Sequence, residues 1–294
     1  MSATKPKANA AKEEPKQEVA VTQTSGALAN VVPDFMKGMA GQGVENMSGA
    51  DVETPRLLLL QATSPQVEDY ENARAGLFWH NMTNEPMGKS LEVVISYVDK
   101  RAILWRPRPP IDTGGILARS EDCINWNPPN AEFKVKIDKS GKEVIWRTKR
   151  GVVSSGLLDW GTFDPSDPNS QPAATLMYNF VLSFPQFPDT PPAVFSFQRS
   201  TSKVAKKLMG RLKMLSVPTF GMKFMFESFT EENNGQKYQS LRVTPNGYVE
   251  NQDDFSRYKA LYDAMKVTGL KMSEEPEYHD PVSTGGDTGE GPEY

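Results

Sequence analysis

The sequence predicts a mainly β fold of the α+β kind, a strongly curved sheet or small barrel with one helix inserted late and a second near the C-terminal end. Three observations point there. Between residues 55 and 248 most large apolar side chains fall in short runs with strand-like composition and alternation. Only two segments, 200–215 and 252–267, repeat their apolar residues with a helical period. The two ends, 1–34 and 273–294, carry too few large apolar side chains to offset the entropy of ordering and are expected to be disordered. Residues 35–272 are then one domain, and a chain of 294 residues with 38% hydrophobic content can bury one sizeable core.

The first strand is expected in "PRLLLLQATSP", where four leucines lie between prolines in a run too short for a free-standing helix. "SLEVVISYVD", "RAILWRPR" and "GGILARS" follow as three more. "AEFKVKID" and "KEVIWRTKR" flank "KSG", good hairpin chemistry, and set Phe133, Val135, Ile137, Val144 and Trp146 against charged neighbours. "AATLMYNFVLSF" and "PAVFSFQRS" are again β-like and aromatic. In "SKVAKKLMGRLKML" the period changes, and Val204, Leu208, Met209, Leu212 and Leu215 share one helical face. "TFGMKFMFESFT" and "YQSLRVTP" make a second hairpin. "QDDFSRYKALYDAMKV" closes the fold as a helix with Asp253 and Asp254 near its start and Phe255, Tyr258, Leu261, Tyr262 and Met265 on its apolar face.

Several chemistries lack their residues. Cys123 is the only cysteine, so no internal disulfide or cysteine zinc cluster can form, and a reducing cytoplasm is the expected setting. No apolar stretch approaches the roughly 20 residues that cross a bilayer. His80 and His279 are the only histidines, which argues against a histidine triad or a multi-histidine metal site; His80 reads as a packing or surface residue. "PMGKS" contains the Gly-Lys-Ser of a phosphate loop but lacks the earlier glycine and precedes a strand, not a helix. Asp159, Asp164 and Asp167 in "LLDWGTFDPSDPNS" could hold a divalent cation, yet Asp-Pro and Pro-Ser-Asp are ordinary turn formers. Glu132 and Lys134 form a Glu-x-Lys of the kind metal-dependent nucleases use, which charge alternation on a hairpin also produces. The expectation is a protein with no enzymatic activity and no cofactor.

The chemistry that is present is cationic and aromatic. From Lys89 to Arg150 there are thirteen Lys or Arg against eight Asp or Glu. Arg101, Arg106 and Arg108 bracket Trp105, and Arg147, Lys149 and Arg150 follow Trp146, with Lys134 and Lys136 on the facing strand. Lys203, Lys206, Lys207, Arg211 and Lys213 stand on the inserted helix without a single acid among them. A single nucleic-acid strand offers phosphates to such cations and flat bases to aromatic rings, so these residues are candidate phosphate contacts, with Trp79, Trp105 and Trp146 as candidate stacking partners. The competing reading is that the tryptophans are core and the lysines a solvated face. Trp105 and Trp146 alternate in register with apolar neighbours, which favours burial of at least one.

The chain ends "EEPEYHDPVSTGGDTGEGPEY", seven acids with no Lys or Arg. A flexible polyanion tethered beside a cationic groove competes with nucleic acid at high effective concentration. This layout resembles phage and bacterial single-stranded DNA-binding proteins. The resemblance implies an OB-like fold, a role in DNA replication or recombination, and a tail, here with Asp287, Glu290, Glu293 and Tyr294, that recruits partner proteins, although those families usually end on Phe. In addition, "GQGVENMSGADVETPRLLLLQATSPQV", "AGLFWHNMT", "RSTSKVAKKLMGRLK" and "NGQKYQSLRVTPNG" look like a group of tailed-phage proteins encoded near replication genes. The expected partner is therefore single-stranded DNA in a host cytoplasm, with no membrane. Two alternatives remain open at this point: a phage assembly protein binding subunits through "PQFPDTPPAVF" and "FGMKFMF", and a metal-dependent nuclease using the Asp159–Asp167 loop.

Overall fold

The computed structural model describes Gly43 and residues 53–137, 141–233 and 235–270, with Asn233 and Gln236 described by backbone alone. All of these except Gly43 belong to one unit, Asn46–Tyr294. The fold is mainly β, built on curved antiparallel sheets. Its spine is β4 (Ser90–Trp105), a single strand of 16 residues where the sequence suggested two. The two are separated in sequence by the charged run Asp99, Lys100, Arg101, which pairs without interruption with Asn179, Tyr178 and Met177; a bulge lies earlier in the strand. Val94 and Ile95 face Ser183 and Leu182 of β8 (Ala174–Ser183), but the next partner of β8, Val181, faces Tyr97. The extra residue, Ser96, shifts the alternation by one, so Leu91, Val93 and Ile95 share a face with Val98, not with Tyr97.

The main sheet holds β11, β10, β4, β8 and β9 in that order, with β5 (Ile116–Ser120) added to the end of β4. β10 (Met222–Asn233) pairs with the first residues of β4, and β11 (Gln236–Tyr248) is the other arm of its hairpin. β9 (Ala193–Phe197) pairs with β8. The sheet does not close, so the curved-sheet form of the expectation holds and the barrel form does not. Both edges are nevertheless occupied. The Val194 N–H donates to the Pro55 carbonyl at 2.8 Å. On β11, the Gln61 side chain imitates a strand: its Oε1 accepts from the Gln239 N–H at 2.7 Å and its Nε2 donates to the Gln239 carbonyl at 3.1 Å. Such covering removes a template for edge-to-edge pairing.

One face of the sheet, with Phe180, Leu182, Phe195, Phe197, Phe224, Phe226, Leu241 and Val243, is covered by two elements. The first is a three-stranded sheet of β1 (Leu57–Leu59), β2 (Phe78–His80) and β3 (Glu85–Gly88), preceded between its first two strands by the short α1 (Pro65–Asp69). Strands as short as β2 and β3 have almost no apolar alternation of their own, so no sequence pattern announces them. The second cover is a helix, described below. The opposite face, at Val94, Val181 and Val194, is covered by α4 (Gln252–Thr268) through Phe255, Tyr258, Leu261, Tyr262 and Met265, the apolar stripe expected. Asn251 caps α4 by accepting the Asp253 N–H at 2.8 Å, and Gly269 ends it at φ 67°.

A second core is built from the end of β4 (Ala102, Leu104), Ala118, and the hairpin of β6 (Glu132–Lys136) and β7 (Glu143–Arg147), with α2 (Val152–Ser155) beside it. Its centre is Trp126, Val135 and Trp146. The hairpin register sets Phe133 opposite Trp146 and Val135 opposite Val144, as the alternation predicted.

His80 is buried in β2, and its roles follow from its partners. Nε2 lies 3.1 Å from the Pro191 carbonyl and so carries the proton, while Nδ1 accepts the Thr83 N–H at 3.3 Å. Burial lowers its pKa below the ordinary 6.5, opposed only in part by the Pro191 carbonyl and Glu85. Because the unfolded imidazole takes a proton first as pH falls, the stability that His80 contributes is whole above about pH 6.5 and is lost below it, by at most about 1.4 kcal/mol per pH unit. Thermal unfolding at descending pH is expected to show this slope in the natural protein and a shallower one in His80→Gln; equal slopes would remove His80 as the cause.

Candidate nucleic-acid interface

The inserted helix is α3 (Ser202–Met214), entered through a short 3-10 turn, Arg199–Thr201, in which the Gln198 N–H donates to Thr201 Oγ1 at 2.9 Å. Ala205, Leu208 and Leu212 are buried against the sheet, with Val204 and Met209 partly so. That contact fixes what faces solvent. Lys203, Lys206, Lys207 and Lys213 are all exposed, and among the described residues no carboxylate pairs with any of them. Arg211 lies at the flank, its Nη1 donating to the Val243 carbonyl at 3.1 Å, so it is partly engaged in holding the helix to β11.

This face is not arranged for helix stability. Lys203 sits in the first turn, where the helix dipole disfavours a cation, and Lys203 and Lys207 repel at the i,i+4 spacing, each effect costing a few tenths of a kcal/mol. Gly210 stands at the centre of the lysine face, and a Cβ built there meets nothing within 4 Å. Packing therefore does not require a glycine that costs about 1 kcal/mol against alanine in a helix interior. A surface that serves only solubility would mix signs and avoid glycine. A surface that receives a polyanion closely does neither.

The remaining candidates are dispersed. Arg101 is largely buried and committed: Nε pairs with Asp99 at 2.5 Å, and the guanidinium also donates to the Leu270 carbonyl beyond α4. Arg106 pairs with Asp112 at 3.2 Å and Arg147 with Glu132 at 2.7 Å. Arg108 is half-buried and has interactions of its own. Lys134 and Lys136 do project from the outer face of the hairpin, but Glu132 and Glu143 share that face, so its cations are nearly balanced. Lys149 and Arg150 are exposed just beyond β7. The hairpin lysines and the α3 lysines thus stand on elements of different cores, and among the described residues α3 alone groups several without acids.

Two of the stacking candidates are corrected by the structure. Trp79 is wholly buried beneath Tyr70, with ring centroids 5.0 Å apart. Trp146 is 2% exposed, its indole N–H donating to the Thr162 carbonyl at 3.1 Å and its ring 5.7 Å from Phe163. Neither can offer a face to a base, because each is enclosed within its cluster. Trp126 is likewise buried, donating to Ser155 Oγ at 3.1 Å, and Trp105 is half-buried. The exposed indole is Trp160, at 72%, which the sequence reading passed over. Its flanks, Asp159 and Gly161 in a run of turn formers with no alternation, were the available signal.

The other motifs settle into structural roles. Asp164 Oδ1 accepts from the Ser166 N–H at 2.9 Å and Asp167 Oδ1 from the Asn169 N–H at 2.9 Å, both ordinary turn contacts, and no group of potential metal ligands occurs among the described residues. Gly88 and Lys89 form a corner between β3 and β4, not the mouth of a helix. Burial pushes the Cys123 thiol up to about 11, which keeps it protonated at neutral pH. Of the apolar stretches considered as subunit contacts, Phe195, Phe220, Phe224 and Phe226 are buried in the chain's own clusters. No helix among the described residues is long and apolar enough to cross a membrane. Asp287, Glu290, Glu293 and Tyr294 lie outside the described residues.

The sequence profile of the family described as Pam3 phage gp34-like protein matches residues 22–271. No curated protein and no solved structure matches the chain.

Proposed function

The chain belongs to the Pam3 phage gp34-like protein family, and from the surface of α3 we propose that it binds single-stranded DNA without sequence preference, in phage replication or recombination. The observation that carries this reading is the group of four exposed lysines on α3 that have no acid among them and no ion-pair partner among the described residues. From Lys203 to Lys213 the helix rises about 15 Å, a track along which successive phosphates exchange condensed counterions for ammonium groups. Binding is by phosphate neutralisation first, since the indoles of Trp79, Trp126 and Trp146 are committed to the interior. The acids of residues 274–293 share the chain with this track and compete with DNA for it at a concentration set by the tether. When DNA displaces them, they become available to partner proteins.

The test is fluorescence anisotropy of labelled oligo-dT over a salt series. With four phosphate contacts, log K is expected to fall with log salt at a slope of about −3, because each contact to a single strand contributes about −0.7. Absence of binding at low salt removes the reading.

A further inference from the structure

Beside the 3-10 turn that opens α3, at the β9 edge of the sheet, lies a half-open cleft of about 90 Å³. Its wall is apolar, with Leu57 of β1 and Phe195 of β9. Its rim is polar: Arg56 on one side, Gln198 and Ser200 of the turn on another, and Tyr238 of β11. Its volume is well below the roughly 300–1,000 Å³ of sites that enclose a whole small ligand. It has room for one flat ring, with the remainder of the ligand outside.

The position of the cleft matters as much as its shape. Ser200 lines it, and Lys203 stands three residues on, in the first turn of α3. The polar rim of the cleft and the start of the lysine track are therefore the same few residues of chain. An apolar wall with hydrogen-bonding groups at the mouth matches a ring that is apolar on its faces and polar at its edge, which is the chemistry of a nucleobase. The match requires an unpaired base, since a paired one has neither its faces nor its edge free.

We propose that this cleft receives one nucleobase of a single strand whose phosphates lie along α3, a proposal that rests on the reading of α3 as a phosphate track. The cleft supplies the stacking contact that the buried tryptophans do not. The half-buried Tyr238 flanks the ring, Gln198 and Ser200 meet its edge, and the lysines hold the adjoining backbone.

Three ligands and one substitution separate the cleft from the track. The full chain is titrated at low salt with oligo-dT, with an abasic deoxyribose-phosphate strand of equal length, and with inorganic polyphosphate. Oligo-dT is expected to bind about tenfold more tightly than the abasic strand, within the range for one stacked base. Ser200→Leu, at an exposed position, fills the mouth without adding a ring that could stack on a base and is expected to abolish that preference; its thermal midpoint checks that the fold is intact. Equal affinity of the natural protein for oligo-dT and the abasic strand overturns the cleft while leaving the phosphate track standing. A preference that survives Ser200→Leu also overturns it, since the base then binds elsewhere. Failure to bind any of the three polyanions removes cleft and track together.

Discussion

Replacing Trp146 by alanine is expected to destabilise the protein by about 3–5 kcal/mol, the range for deleting a buried large aromatic, while leaving the oligo-dT affinity of the folded fraction unchanged. The indole is 2% exposed at the centre of the second core, facing Phe133 across the hairpin and tilted against Phe163. A two-stranded hairpin is marginal by itself, so β6 and β7 depend on what their inner face buries, and Trp146 is the largest part of it. Trp146→Phe is expected to cost less, since it retains most of the volume and loses the hydrogen bond to the Thr162 carbonyl. Urea denaturation followed by near-ultraviolet circular dichroism measures the stability, and anisotropy at low temperature measures binding. The opposite pattern, lost affinity with stability preserved, would return Trp146 to the role of a stacking residue and contradict its burial.

That substitution also marks where sequence and structure part. The hairpin was legible because Phe133, Val135, Val144 and Trp146 alternate strictly with charges; the same alternation that places Lys134 and Arg147 outside places Trp146 inside. Charge next to a tryptophan along a strand therefore says that the two point in opposite directions, and the proximity first read as a binding surface was evidence for burial. The two long helices were legible for a related reason, since their apolar stripes are complete within one element. β4 reads as two strands because the charged run Asp99, Lys100, Arg101 interrupts its apolar residues, and only the pairing with Asn179, Tyr178 and Met177 of β8 carries the strand through it.

Pairing partners were less visible. Asp99 and Arg101 lie two apart on one strand face, so their ion pair could be anticipated, but Arg106 meets Asp112 across a loop and Arg147 meets Glu132 only through the hairpin register. Counting cations between Lys89 and Arg150 thus overestimated the positive surface of that region. The α3 cluster survived because its helix contains no acid and the described residues bring none to it. The cleft had no sequence signature, as its lining comes from β1, β8, β9, the turn before α3, and β11.

Neutralising two lysines of α3, in Lys206→Gln/Lys207→Gln, is expected to lower oligo-dT affinity about 60-fold at about 50 mM salt and about tenfold at about 200 mM, since each lost phosphate contact removes about 0.7 from the salt slope. Both side chains are exposed and glutamine is a good helix former, so the fold should be unaffected. The same exchange at Lys134 and Lys136 provides the contrast: with Glu132 and Glu143 on that face, the loss is expected to be much smaller. Equal losses at the two sites would mean that the strand responds to total charge and not to a track on α3. The acidic segment supplies a second, coupled readout. Deleting residues 273–294 is expected to raise affinity at low salt and to have little effect at high salt, where a screened polyanion competes poorly. In the Lys206→Gln/Lys207→Gln background, the gain from deletion should shrink, because a competitor loses its effect when the site it occupies is gone. That non-additivity distinguishes a tail seated on α3 from one that merely repels DNA through its net charge, for which the two changes would add.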